Sequence, residues 1–360
     1  MQTLAPPVPT GPSADGTAAA APPRFELLPR DGRAVAALAR EYVRASVSLS
    51  AERALRLASL MAHELPRPLR RVLTDHRLGT LPHAGFLVGG LPLGEGVPAS
   101  VADERPTGRH GTDHAAALLL LAGSLLGEPL ALPGRPSARP AGHAVLGPCP
   151  VTGDGDGCGP GATAGPHVEG HSPAPHADWT MLLGLRDDDR GTAAFTPVDD
   201  LGLDSATRRV LFQGRFHVLA DVTGTGCTEA DTSLRSLDGT RPAASRAGSG
   251  HPRCVALLEG DEAAPWLRAD PADTRAQSGD REAAKALAAL TAAVRRRPVE
   301  VSVGAGELFV LDNRRAAHGE ALRASADPHA SDLPLRRLDV TADPRLGAGL
   351  RAGRYGRAAG

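Results

Sequence analysis

From about Ala144 onward the chain is a succession of short apolar runs, each closed by Gly, Pro or Asp. They are WTMLLGL (179–185), TAAFTPV (192–198), RFHVLADV (215–222), CVALLEG (254–260), VEVSV (299–303) and ELFVLDN (307–313). Runs this short, punctuated by turn residues on both sides, predict many short strands and hence a β-sandwich or barrel. Phe, Trp and Tyr make up only 3% of a chain that is 41% hydrophobic. Aliphatic side chains and alanine must therefore fill its core.

Before this region the pattern is helical. Residues 1–24, dominated by Ala, Pro, Gly, Ser and Thr without periodicity, are expected to be a disordered tail. From Asp31 to about His63 two amphipathic patterns follow, the second started by Ser48 or Ser50 as N-cap with Glu52 in its first turn. AGFLVGGLPLG (84–94) reads as a buried strand, and Thr112 opens AAALLLLAGSLLG (115–127), a buried helix too short to span a bilayer. REAAKALAALTAAVRRR (281–297) is a last helix with basic residues in its final turn, which suits the helix dipole. Two stretches, 130–166 and 223–252, have no hydrophobic period. The second is expected to be a lid insertion in a single domain of residues 25–350, with 351–360 as a C-terminal tail.

With 40 basic and 41 acidic residues, a net charge of −1 and no long single-sign block, the chain offers no electrostatic footprint for nucleic acid or an anionic membrane. A small-molecule substrate is the expected partner. The four cysteines form no C-x-x-C pair, and the N-terminal stretch lacks the basic and apolar regions of a signal peptide, so a reducing cytoplasm is expected.

One segment concentrates the chemistry. GPHVEGHSPAPHADW (165–179) places three histidines and two acidic residues within fifteen positions. His167 and His171 have the spacing of a helical zinc-protease pair, but Glu169 sits two residues after His167, and Gly170, Pro173 and Pro175 break a helix there. On an extended segment, period-2 geometry instead points His167 and Glu169 to the same side. Two histidines and one carboxylate with open positions suit non-haem Fe(II), and the second histidine must come from a distant strand. Of the thirteen histidines, His318 is the best candidate, directly after ELFVLDN in LDNRRAAHGE.

HVEGHSPAPHADWTMLLGLRDD resembles the clavaminate synthase-like branch of Fe(II)/2-oxoglutarate oxygenases, the group that holds the amino-acid β-hydroxylases. The family's H-T-E, the Asp/Asn-aromatic pair and the apolar strand ending in Leu-Arg align without a gap on His167, Glu169, Asp178, Trp179, Leu183, Leu185 and Arg186. GELFVLDNRRAAHGEAL (306–322) is similar to the family's G-D-L-L-F-x-D-N-R-R-x-x-H-G-R, and weaker matches extend the likeness over most of residues 80–350.

The resemblance implies a mainly β fold with flanking helices around a double-stranded β-helix, or jelly-roll, core. It implies an oxygenase that uses Fe(II), 2-oxoglutarate and O2, with succinate and CO2 as co-products, to hydroxylate an unactivated C–H bond of a free amino acid or amino-acid-derived molecule. His167, Glu169 and His318 would be the iron ligands, with Asp312 and Asn313 fixing the turn before His318. Thr192, or Thr196 as second choice, would supply a hydroxyl to the co-substrate. The family's first 2-oxoglutarate-binding Arg is Leu333 here, which assigns the clamp to Arg337, with Arg336 or Arg323 as alternatives. Leu146 and Gly147 stand where the amino-acid hydroxylases have V-Q-D. Asp270 and Asp273 fall where acidic residues meet basic side-chain ends, and His171 and His176 remain loop residues. Two other readings stay open: a catalytically silent relative that binds a metal or small molecule, because of Leu333, and an unrelated metal hydrolase with the same three ligands.

Overall fold

The run AAALLLLAG is apolar all round, so a helix built from it has no polar face to give to water and must be covered on every side. In the computed structural model, which describes residues 21–94, 112–130, 149–150, 177–187, 190–218, 254–296, 298–319 and 335–343, that is its position. The N-terminal half runs β1 (Arg24–Glu26), α1 (Pro29–Ser46), α2 (Ala51–Met61), α3 (Arg67–Arg77), β2 (Gly85–Gly89) and α4 (Thr112–Gly123). Helix α4 packs between α1 and α2 on one side and a sheet on the other, with Leu119 and Leu121 fully buried.

The rest follows as β3 (Glu128–Leu130), β4 (Cys149–Pro150), β5 (Trp179–Gly184), β6 (Gly191–Pro197), α5 (Ser205–Leu211), β7 (Phe216–Val218), β8 (Leu258–Asp261) and β9 (Ala264–Leu267). It ends with β10 (Thr274–Ala276), α6 (Arg281–Arg296), β11 (Val299–Val303), β12 (Leu308–Asp312), β13 (Ala316–Gly319) and β14 (Leu335–Thr341). A seven-stranded sheet has the order β1-β2-β12-β5-β14-β3, with β4 also paired to β14; a second sheet has the order β11-β6-β13. Two small antiparallel pairs, β10-β7 and β8-β9, complete the strands.

Strand alternation sorts the side chains into two cores. Phe86, Val88, Met181, Leu183, Leu308, Val310, Leu338 and Val340 of the large sheet face the layer of α1–α4. Leu87, Phe309, Leu311 and Leu335 face the other way and meet Phe195, Val299, Val301, Val303 and Ala316 of the small sheet. The two sheets therefore pack face to face, and the small sheet is backed by α6. Gly191 shows how close the approach is, since a Cβ there would collide with the Leu335 side chain.

The strand regions thus form two packed sheets and helices flank them, as anticipated, but the described elements mix helix and sheet more evenly than the expected mainly β fold with flanking helices. The difference comes from the N-terminal helices, which form a full layer. Ser50 caps α2, accepting the Arg53 N–H. Helix α3 was not anticipated, because RPLRRVLTDHR is strongly basic; its buried residues are Pro68, Leu69, Val72, Leu73 and His76. Strand β1 starts at Arg24, the last residue of the expected tail, and Arg24 pairs with buried Glu307 at 2.7 Å. The expected lid 223–252 and tail 351–360 lie outside the described residues.

His76 is a buried polar group with a measurable consequence. It is 2% exposed, meets Phe86 edge-on at 4.9 Å, and neither ring nitrogen has a hydrogen-bond partner among the described residues. Burial pushes its pKa down from 6.5 to about 4; Asp312 opposes this, while Arg315 and Arg314 add to it. The unfolded chain takes up a proton that the folded chain refuses, so this stability is complete above pH 6.5 and is lost as pH falls toward 4. Urea melts should show stability about 2 kcal/mol lower at pH 5 than at pH 7 from this group alone. His76→Leu should remove that part of the slope, and an unchanged slope would refute the assignment.

Candidate functional site

Strand β13 places His318 directly opposite Phe195 of β6, and Ala316, two residues earlier on the same face, belongs to the core between the sheets. His318 therefore looks into the inter-sheet space and is only 6% exposed. On β14, Leu335 faces the same space, and so does Arg337 two residues on, 3% exposed. Arg336 falls on the other side, alternating with Leu338 and Val340 toward the helices. The structure thus separates the two arginines that the sequence alone left as alternatives.

Thr192 lies three residues from Phe195, on the opposite face of β6 from His318. Thr196 is on that outer face as well, and its hydroxyl donates to the Val294 carbonyl of α6 at 2.8 Å. Asp270 is 4% exposed and caps the short turn Pro271–Asp273, accepting the Ala272 N–H at 2.7 Å, while its carbonyl accepts the Thr274 hydroxyl at 2.7 Å. Of Asp273 the structure gives the backbone, as the last residue of that turn. Leu146, His167, Glu169, His171, His176, Arg323 and Leu333 lie outside the described residues. Among the described residues no three His, Cys, Asp or Glu side chains could hold a metal together.

The turn that delivers His318 is held at every residue of DNRR. Asp312 accepts the Arg314 N–H at 3.0 Å and grips its guanidinium at 3.1 and 3.0 Å. Asn313 donates from Nδ2 to the Ala177 carbonyl and to Thr180 Oγ1, both at 3.0 Å. Arg314 is stacked between Trp179 and Trp266, 5.1 Å from each ring, and its carbonyl accepts the Leu267 N–H. Burial alone would lower the Arg314 pKa, but the ion pair with Asp312 and the nearby Asp178 charge raise it. Arg315 donates to the carbonyls of Leu81, Pro82 and His83 and to Asp199. Asp312 and Asn313 thus hold the turn, as their place in the motif implies. Asp178 accepts the Thr341 hydroxyl at 3.0 Å, fixing the start of β5 against the end of β14.

Sequence reasoning missed Thr180 and Asp339. Arg337 donates Nε to both oxygens of Asp339 at 3.0 Å, and Asp339 also accepts the Thr180 hydroxyl at 2.8 Å. The signal was present in LRRLDVT, because residues two apart on a strand share a face. The described donors suit a specific pair of ligands. A buried imidazole is a ligand for iron and similar metals, and a buried guanidinium is the natural receptor of a carboxylate.

No family model matches the chain. It is similar to enduracididine beta-hydroxylase of Streptomyces hygroscopicus, 30% identical over 326 residues that cover 88% of this chain and 93% of the relative. Among solved structures it is similar to the non-heme iron oxygenase OrfP in complex with Fe and L-homoarginine, with TM-score 0.70, 24% identity, and 93% and 97% of the two chains covered. OrfP with Fe, succinate and (3R,4R)-dihydroxy-L-Arg aligns with TM-score 0.68 and 24% identity over 94% and 98% of the chains. OrfP with Fe and alpha-ketoglutaric acid aligns with TM-score 0.66 and 24% identity over 93% and 98%. These structural likenesses bear on the fold and agree with its two facing sheets.

Proposed function

The chain belongs to the clavaminate synthase-like family of Fe(II)/2-oxoglutarate oxygenases, and on that premise we propose that it hydroxylates a free amino acid with a guanidinium-bearing side chain. It is a non-haem iron dioxygenase dependent on Fe(II) and 2-oxoglutarate. The substrate class rests on one observation, the similarity along most of both chains to a hydroxylase named for enduracididine. OrfP, the structural neighbour, is described with L-homoarginine, L-Arg and L-canavanine, which agrees in chemical class.

In this reading His167, Glu169 and His318 hold the iron, which supplies the oxidising chemistry when 2-oxoglutarate and O2 are bound. Arg337 takes the distal carboxylate of 2-oxoglutarate, since it is the arginine of β14 that faces the same space as His318. Arg336 and Thr192 face away and are assigned to packing. Asp270 supplies negative charge toward the cationic end of the substrate; β9, which ends three residues before it, is tied to the His318 turn by the Leu267 bond to Arg314 and by Trp266. Asp273 and Leu146 complete the substrate side. The apolar packing between the two sheets, Phe195 and Phe309 included, would exclude water beside His318. No helix among the described residues is long and apolar enough to cross a membrane.

The test is turnover on a panel. Protein loaded with Fe(II) and 2-oxoglutarate is given L-Arg, L-homoarginine, enduracididine and a set of neutral and amide amino acids, then exposed to air. One guanidinium amino acid should gain one oxygen with equimolar succinate. Oxygen gain confined to neutral amino acids would overturn the substrate class. Absence of succinate with every member would favour the silent relative.

A further inference from the structure

The geometry points to Asp339 as the positioning residue of the co-substrate clamp, acting through Arg337 and anchored by Thr180 and Asn313. It rests on the assignment of Arg337 proposed above. The four side chains form a directed chain: Asn313 Nδ2 donates to Thr180, the Thr180 hydroxyl donates to Asp339, and Asp339 receives Nε of Arg337. All four are at least nine-tenths buried, with exposures of 2, 4, 3 and 3%. Thr180 and Asp339 are direct cross-strand partners on β5 and β14, so sheet pairing fixes their separation.

Two features make this more than a buried ion pair. First, Asp339 engages the guanidinium at Nε, on its side edge, whereas fork-to-fork capture of a carboxylate uses the Nη1/Nη2 edge. Through Nε the pair fixes the rotation of the guanidinium plane. Second, Asn313 anchors this chain and also belongs to the turn that delivers His318 five residues later. The metal ligand and the clamp are thereby referenced to one buried amide. With Leu333 where the family has its first arginine, fine placement of the remaining guanidinium determines whether a dicarboxylate is held at all.

The measurement is the equilibrium affinity of the anaerobic Fe(II) protein for 2-oxoglutarate, read by the visible charge-transfer band, beside its affinity for pyruvate, which lacks the distal carboxylate. Asp339→Asn keeps an acceptor for the Thr180 hydroxyl but loses the charge and one oxygen. It should raise the dissociation constant for 2-oxoglutarate about 10- to 100-fold and leave that for pyruvate unchanged. Thr180→Val should act in the same direction, more weakly, and carries the test if Asp339→Asn does not fold. Unchanged or tighter 2-oxoglutarate binding, or equal weakening of both ligands, would overturn the positioning role. Wild-type protein that gives no band with 2-oxoglutarate would overturn the clamp assignment itself, a result distinct from a wild-type band that Asp339→Asn leaves intact.

Discussion

His318→Ala is expected to abolish oxygen insertion and the charge-transfer band while leaving the fold in place. The strand that carries His318 is paired to β6 through backbone bonds, and the turn before it is held by Asp312, Asn313, Arg314 and Arg315. These contacts come from the backbone and from other side chains, so the strand and its turn should stay in place and the thermal midpoint should move by a few degrees, on the order of what about 1 kcal/mol produces in a domain of this size. The effect on iron is far larger. Loss of an outer-shell partner commonly costs 10- to 100-fold in metal affinity, and loss of a ligand itself should cost on the order of 10³-fold or more in turnover. Iron content after desalting, the anaerobic band and succinate release give three separate readouts. A folded variant that keeps stoichiometric iron and the band would show that the third ligand is another histidine.

The strands were legible in the sequence, and so was the place of His318 beside one of them. Short apolar runs bounded by turn residues can be read locally: four of the six contribute strands to the two sheets, and RFHVLADV and CVALLEG contribute to the two small antiparallel pairs. His318 could be nominated because it follows one of them. What escaped was whatever depended on which face a strand turns inward. Arg336 and Arg337 are neighbours in sequence and equal in chemistry, and only the packing of Leu335 against the small sheet separates them. Thr192 looked suitable by position, but parity with Phe195 turns it outward. Asp339 was overlooked because its partner Thr180, and Asn313 which holds Thr180, come from β5 and the end of β12, far away in the chain. Helix α3 escaped because its polar face outweighs a short buried stripe.

Arg337→Met should show two effects that a second substitution pulls apart. Asp339, with its side chain 2% exposed, loses the guanidinium that compensates its charge, and breaking a buried pair from one side costs about 3–5 kcal/mol. The double variant Arg337→Met/Asp339→Asn replaces that carboxylate by a neutral amide that still accepts from Thr180, so most of the loss should return in urea melts. Co-substrate binding should not return. Truncating one side of a buried, hydrogen-bonded charge pair costs about 2–5 kcal/mol, on the order of 100-fold in affinity, and both variants lack the guanidinium. Stability recovered without 2-oxoglutarate affinity therefore separates the clamp from the scaffold. If Arg337→Met binds 2-oxoglutarate as the wild type does, the carboxylate is held by another cation, and Arg323 becomes the candidate, because Arg336 faces the helix layer.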